Sequence, residues 1–356
     1  MANKREWTKR VFDGGDSESY STIVERSIEW LWQHRIPKGK ITILVGRPGG
    51  GKTTLWCYLA AAVSTGTALP GSEIASPPGD VIVMAMEDDA EDTLKPRVRV
   101  AGGDLSRVRR LRIANLDDNI QQLDAELAAC DNPSIVIIDP VMAFMRGVAH
   151  STVRHSLGKL QQLAEKYPQC AFVLIAHFNK SNAANSNLLG RIQGSAAYGA
   201  VARSVYVVEQ HPTDKGLQLL LPLKNNLAPA TAGLSFRIAT RQSTPVVQWT
   251  GELVDEITAE MAVNAADKAG RKKPIEVAQE FLLEKLQDGP RLASEMKKQA
   301  EERGISFVTL HRARTQLRIK SVGSAENAKW HPPVDDGDSE TPSMPYDNDL
   351  DDGDDD

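Results

Sequence analysis

The residues best suited to chemistry lie in one stretch, Ile41 to Ala62, which reads ITILVGRPGGGKTTLWCYLAAA. Gly46, Arg47, Pro48, Gly49, Gly50, Gly51, Lys52 and Thr53 fill the spacing G-x-x-x-x-G-K-[ST]. Glycines let backbone N–H groups turn inward around an anion, and a following helix adds the positive end of its dipole. Lys52 can then reach the β- and γ-phosphates of a nucleotide. The Thr53 hydroxyl can ligate Mg²⁺, and Thr54 closes the cradle. A β-branched run precedes the loop and a helix-compatible run follows it, which is the strand–loop–helix context the spacing requires. ATP and Mg²⁺ are the expected cofactors.

Ser134-Ile135-Val136-Ile137-Ile138-Asp139 supplies a second anchor. Four aliphatics ending in Asp read as a buried strand whose carboxylate holds the Mg²⁺ shell opposite Thr53. Hydrolysis also needs a group that orients or deprotonates the attacking water. Many P-loop ATPases place a Glu directly after this Asp, but here the position is Pro140. The next candidate is Glu87, which follows the apolar run Val81 to Met86. Strand C-termini converge on the ligand crevice of such sheets. The alternative for Glu87 is a capping carboxylate for the next helix.

These residues need elements to hold them. Continuous apolar runs at Ile41–Val45, Val81–Met86, Ser134–Asp139 and Ala171–Ala176 read as parallel strands buried on both faces. Leu111–Ala114 reads as a further strand. Helices are expected over Thr22–Trp32, after the loop, around Arg97 and Arg99, over Ile120–Cys130 and over 151–167. Strands then follow closely at Ser204–Glu209, Leu217–Leu223, Leu234–Ala239 and Val246–Trp249. The fold class expected is α/β: a mainly parallel sheet extended by antiparallel strands, with a small C-terminal helical module. The organisation expected is a flexible N-terminus (1–21), an ATPase domain (22–255), a linker (256–273), a helix-turn-helix-like module (274–330) and an acidic tail (331–356).

The 356 residues carry 42 Lys and Arg against 47 Asp and Glu, a net charge of −5. Eleven of the acids lie between Asp335 and Asp356, where no Lys or Arg occurs, so the preceding chain has an excess of +6. Residues 271–330 hold 13 basic and 8 acidic groups, a surplus of +5. In that module Ser306 is an N-cap for a helix through Leu317, with Leu310, Ala313 and Leu317 on one side and His311, Arg314, Thr315 and Arg318 on the other. The pattern suits nucleic acid contact; a helical cap used in assembly is the alternative. Cys57, Cys130 and Cys170 form no close pair and read as buried thiols. The absence of a secretory leader and of an ~18-residue apolar run predicts a cytoplasmic chain without membrane spans.

The motifs together resemble the RecA-like ATPases, within the group that includes plasmid replicative helicases of the RepA type and relatives of DnaB and KaiC. The resemblance rests on EWLWQHRIPKGKITILVGRPGGGKTTL, MAMEDDAEDTLKPRV, IVIIDPVMAF, VLIAHFNKS, GRIQGSAAYGAVARSVYVVE and LPLKNNLAP, in order from Ile23 to Trp249. It implies that Glu87 is the catalytic glutamate and Asp139 the Walker B aspartate. It implies that His177 senses the γ-phosphate and that Arg97 lies near the adenine. Such ATPases act as homo-oligomeric rings, the hexamer among them, in which a basic residue reaches the next subunit's γ-phosphate; Arg203 and Lys224 are the candidates. Lys224-Asn225-Asn226 departs from the Lys-x-Arg pair of DnaB-type proteins. Loops 146–155 and 181–195 match regions facing a central channel, where Lys180 or Arg191 would meet a phosphate backbone. The implied partner is DNA, single- or double-stranded. The implied job is replicative helicase, helicase loader or recombination ATPase. An ATP-switched regulator without motor activity is the alternative, and a P-loop kinase is disfavoured by the lack of an Arg-rich lid.

Overall fold

The computed structural model describes residues 19–72, 75–147, 149–179, 187–192, 197–269, 274–324 and 327–332. Residues 1–18, Lys180, most of the loop 181–195 and the acidic tail from 333 lie outside the described residues. The chain divides into two compact units, 1–268 and 269–356.

The first unit opens with β1 (Trp30–Trp32), β2 (Ile36–Pro37), β3 (Ile41–Val45) and α1 (Lys52–Thr65). It continues with β4 (Asp80–Ala85), α2 (Lys95–Val100), β5 (Val108–Arg110), α3 (Leu116–Ala129), β6 (Pro133–Asp139) and α4 (His150–Lys166). There follow β7 (Ala171–Ala176), α5 (Ala197–Val201), β8 (Ser204–Gln210), β9 (Leu217–Asn225), β10 (Gly233–Arg241), β11 (Thr244–Val254) and α6 (Ala259–Ala269). One nine-stranded sheet runs β11-β10-β9-β8-β3-β7-β6-β4-β5. The strands from β8 to β5 are parallel; β9, β10 and β11 extend them antiparallel. This is the architecture of a RecA-like P-loop fold.

Every residue of β3, β6 and β7 is buried. Alternation assigns their side chains to two layers. Val136, Ile138, Phe172 and Leu174 pack with α3, α4 and α6. Ile135, Ile137, Val173 and Ile175 pack with α1 and α2. Each fully buried aliphatic side chain contributes about 1.5–3 kcal/mol, and a one-residue slip would exchange the two sets. The register is therefore firmly set. It brings Val45 beside Ala176 and Ala85 beside Asp139, so the loops that leave these strands share one edge.

The structure departs from the sequence expectations at four places. Thr22–Trp32 is not a helix: a 3₁₀ turn at Tyr20–Thr22 leads to β1, which pairs with β2. Thr22, Ile23, Val24 and Ile28 are β-branched and disfavour helix, and Trp32 is held by packing edge-on to Trp249 at 5.7 Å. The expected strand at Leu111–Ala114 lies earlier, at β5, where Val108, Arg109 and Arg110 pair with β4. An edge strand buries so little that basic residues fit it and apolar runs misplace it. Helix α3 starts at Leu116 rather than Ile120, because the Asn115 side chain accepts the Asp118 N–H at 2.9 Å. The expected linker, which the sequence left open to helix, forms α6 and packs: Ala259, Ala262 and Val263 are buried in the first unit's core.

The second unit has α7 (Pro274–Leu286), β12 (Arg291–Leu292), α8 (Ala293–Glu302), α9 (Phe307–Gln316), β13 (Ser321–Val322) and β14 (Lys329–Trp330). The strands form a small antiparallel sheet in the order β12-β14-β13. Phe281, Leu282, Met296, Leu310 and Trp330 share its core. Ser306 caps α9, accepting the Thr309 N–H at 3.3 Å. Phe307 and Val308 at the start of α9 are exposed. No helix among the described residues is long and apolar enough to cross a membrane.

Candidate active site

The loop from Gly46 to Gly51 joins β3 to α1. A Cβ at Gly46 would lie 2.1 Å from the Val208 carbonyl oxygen, so β8 leaves room only for glycine there. Gly51 has a φ of 86° and is the N-cap of α1, with no side chain filling the cap. The first N–H groups of a 14-residue helix therefore stand at the positive end of its dipole, open to an anion.

Lys52 is 5% exposed, and its Nζ donates to the carbonyls of Gly46 at 3.0 Å and Arg47 at 2.7 Å. Burial lowers its pKa to about 8, against the pull of Asp139, Glu209 and Glu87. Thr53 Oγ1 donates to Asp139 Oδ2 at 3.2 Å. Trp56, one helical turn further along α1 and fully buried, donates its indole N–H to the same oxygen at 2.6 Å. Burial raises the Asp139 pKa, and the Trp56 and Thr53 donors pull it back. Thr53 and Asp139 present hard oxygen ligands side by side. Mg²⁺ takes few protein ligands and completes its shell with water and phosphate oxygens, so this donor set fits it.

Two further strand ends close the site. The Met86 N–H donates to the Asp139 carbonyl at 3.1 Å, which sets Glu87 beside the end of β6. The N-cap of the next turn, Ala90–Leu94, is Asp89, so Glu87 is not the capping carboxylate. The Glu87 side chain is 62% exposed, and its Oε2 lies 3.9 Å from His177 Nε2. His177 follows β7, the strand between β3 and β6. Burial and then the Lys52 ammonium lower its pKa, with Glu87 opposing them, so the neutral imidazole is favoured. The structure thus brings Lys52, Thr53, Glu87, Asp139 and His177 together at one sheet edge.

The other expected residues make different contacts. Arg97, on α2, pairs with Asp88 at 3.6 Å. Arg203 and Lys224 stand at the opposite end of the sheet from the loop, since Thr42 pairs with Ser204 and Val205 with Lys224. Arg203 is exposed. Lys224 Nζ is engaged by its own subunit, donating to the Gly199 carbonyl at 2.7 Å and the Ala202 carbonyl at 2.9 Å. Arg191 is not turned out toward a channel: it is 7% exposed and bonds Asp267 at 2.9 Å. A guanidinium this deep needs a carboxylate, which no sequence pattern around Arg191 announced.

Sequence reasoning missed Trp56, Glu209 and Asp267. Trp56 carried a signal, lying at i+3 from Thr53 on a helix that must face Asp139. Glu209 and Asp267 carried none. Both meet Arg47, whose Nε is 3.3 Å from Glu209 Oε2 and whose Nη2 bonds the Asp267 carboxylate. Burial raises the Glu209 pKa.

No curated protein matches the chain. A family model described as an AAA domain matches residues 17–183, which include Lys52, Glu87, Asp139 and His177, and this match supports a P-loop ATPase.

Proposed function

We propose that the protein is a Mg²⁺-dependent, RecA-like ATPase of the group that includes RepA-type helicases and relatives of DnaB and KaiC. It works as a homo-oligomer on DNA, as replicative helicase, helicase loader or recombination-type ATPase. The observation that carries the reading is the meeting of Thr53 Oγ1 and Asp139 Oδ2 at 3.2 Å beneath the loop. In this reading the backbone N–H groups of the loop hold the β-phosphate. Lys52 leaves the Gly46 and Arg47 carbonyls for the β/γ oxygens. Thr53 and Asp139 would hold Mg²⁺, which would supply charge neutralisation at those oxygens. Glu87 Oε2 takes the proton of the attacking water, and neutral His177 donates toward the γ-phosphate. Arg203, exposed and remote from its own loop, is the candidate to act in trans.

One observation favours a second reading, an ATP-switched regulator whose C-terminal module contacts DNA or a partner. Lys224 is held by two carbonyls of its own subunit and has no Arg two residues on, which weakens the case for a motor. ATP turnover with and without single-stranded DNA separates the two, with Lys52→Ala as control. The motor reading expects turnover stimulated by DNA and abolished in Lys52→Ala. Turnover indifferent to DNA favours the regulator, and turnover unchanged by Lys52→Ala overturns both.

A further inference from the structure

One carboxylate ties together the two segments that border the phosphate site. Asp267 lies near the end of α6, a helix fixed by Ala259, Ala262 and Val263 in the core, so a packed element presents it rather than a loop. On one side Asp267 bonds Arg47 Nη2, and the Ala266 and Val263 carbonyls accept from the same guanidinium at 3.1 and 3.4 Å. On the other it takes a bidentate pair from Arg191, at 2.9 and 3.2 Å. Arg191 in turn holds the segment after β7. Its carbonyl accepts the Asn179 N–H at 2.7 Å, and its guanidinium lies 5.6 Å from the Phe178 ring. His177 is the next residue back along the chain.

The Asp267 side chain is 21% exposed and that of Arg191 is 8% exposed, so water screens this pairing far less than a surface ion pair. Direct contacts therefore run from Lys52 and the Arg47 carbonyl, through the Arg47 side chain and Asp267, to Arg191 and the residues beside His177. ATP differs from ADP only in the γ-phosphate. A group at that phosphate can change the loop's grip on the rest of the nucleotide only if the two segments are joined.

We infer that Asp267 is a positioning residue: it couples the phosphate loop to the segment bearing His177, and so sets how strongly the protein prefers ATP over ADP. The inference rests on the ATPase reading above. The test measures the affinities of ADP and of the slowly hydrolysed γ-thio analogue of ATP, both with Mg²⁺, on the full chain. Asp267→Asn should weaken the analogue about tenfold while ADP stays within about twofold, a loss of coupling in the usual range. A merely structural role would weaken both alike. Because Asp267→Asn leaves Arg191 unpaired and can impair folding, Asp267→Glu is measured beside it, and its restored charge should recover the preference. An unmodified protein that binds no nucleotide overturns the ATPase reading and this inference with it. Normal binding with an unchanged ratio in Asp267→Asn, or a ratio equally lost in a folded Asp267→Glu, overturns this inference alone.

Discussion

Trp56→Phe removes one donor from Asp139 and leaves a smaller ring in the core. The indole N–H lies 2.6 Å from Asp139 Oδ2, and both side chains are buried. A hydrogen bond to a charged group contributes about 1.5–3 kcal/mol. The smaller ring leaves a void that costs about 1 kcal/mol more. The variant should thus lose roughly 2.5–4 kcal/mol, a fall of about 5–15 °C in the unfolding midpoint of the first unit. Circular dichroism on heating measures it. A double-mutant cycle with Asp139→Ala separates the bond from the void, since the void penalty belongs to Trp56 alone. The cycle should give a coupling on the order of 1.5–3 kcal/mol. Penalties that add to within about 0.5 kcal/mol would refute the bond and leave Trp56 as packing only.

Two further outcomes follow from the site. With its pKa lowered to about 8, Lys52 begins to lose its proton just above neutrality, whereas bound phosphates favour the charged form. ATP affinity should be full below that pH and fall by up to about tenfold per unit above it, until the bound-state pKa is reached. Titrations at about pH 7 and about pH 9.5 measure this, and equal affinities would contradict the assignment. Glu87→Gln should still bind ATP but lose turnover by about 10²-fold, since the amide cannot take a proton. Near-normal turnover in a filter-binding and phosphate-release assay would move the base elsewhere, with Asp88 tested next.

The sheet was legible where burial is two-sided. Ile41–Val45, Ile135–Ile138 and Ala171–Ala176 are almost wholly apolar because helices cover both faces, and the motifs at the first two ends pointed to Lys52 and Asp139, whereas the role of His177 came from the family resemblance. Legibility failed where tertiary contacts override local preference. Trp32 looked helical by spacing, yet Trp249 and the Pro70 carbonyl fix it in a strand. Ala259–Ala269 looked like a linker because its buried face is mostly alanine, which hydropathy barely separates from solvent-facing helix. The Arg47–Asp267 pair joins positions 220 residues apart, and no local pattern carries a contact of that range.

The parallel strands also give the first unit a direction. Gly46, Glu87, Asp139 and His177 leave the carboxyl ends of their strands, while Arg203 stands at the amino end of β8. Such a body has unlike poles. Two copies joined pole to like pole share a twofold axis, and neither then offers Arg203 to the other's loop. A head-to-tail contact does so, and that contact repeats with a fixed turn per copy. A turn that divides the circle closes a ring, and any other winds a helix. If Arg203 serves a neighbour's nucleotide through such a contact, copy number is a matter of angle. A substitution that tilts the contact by a few degrees could exchange ring for filament without touching one residue of the chemistry.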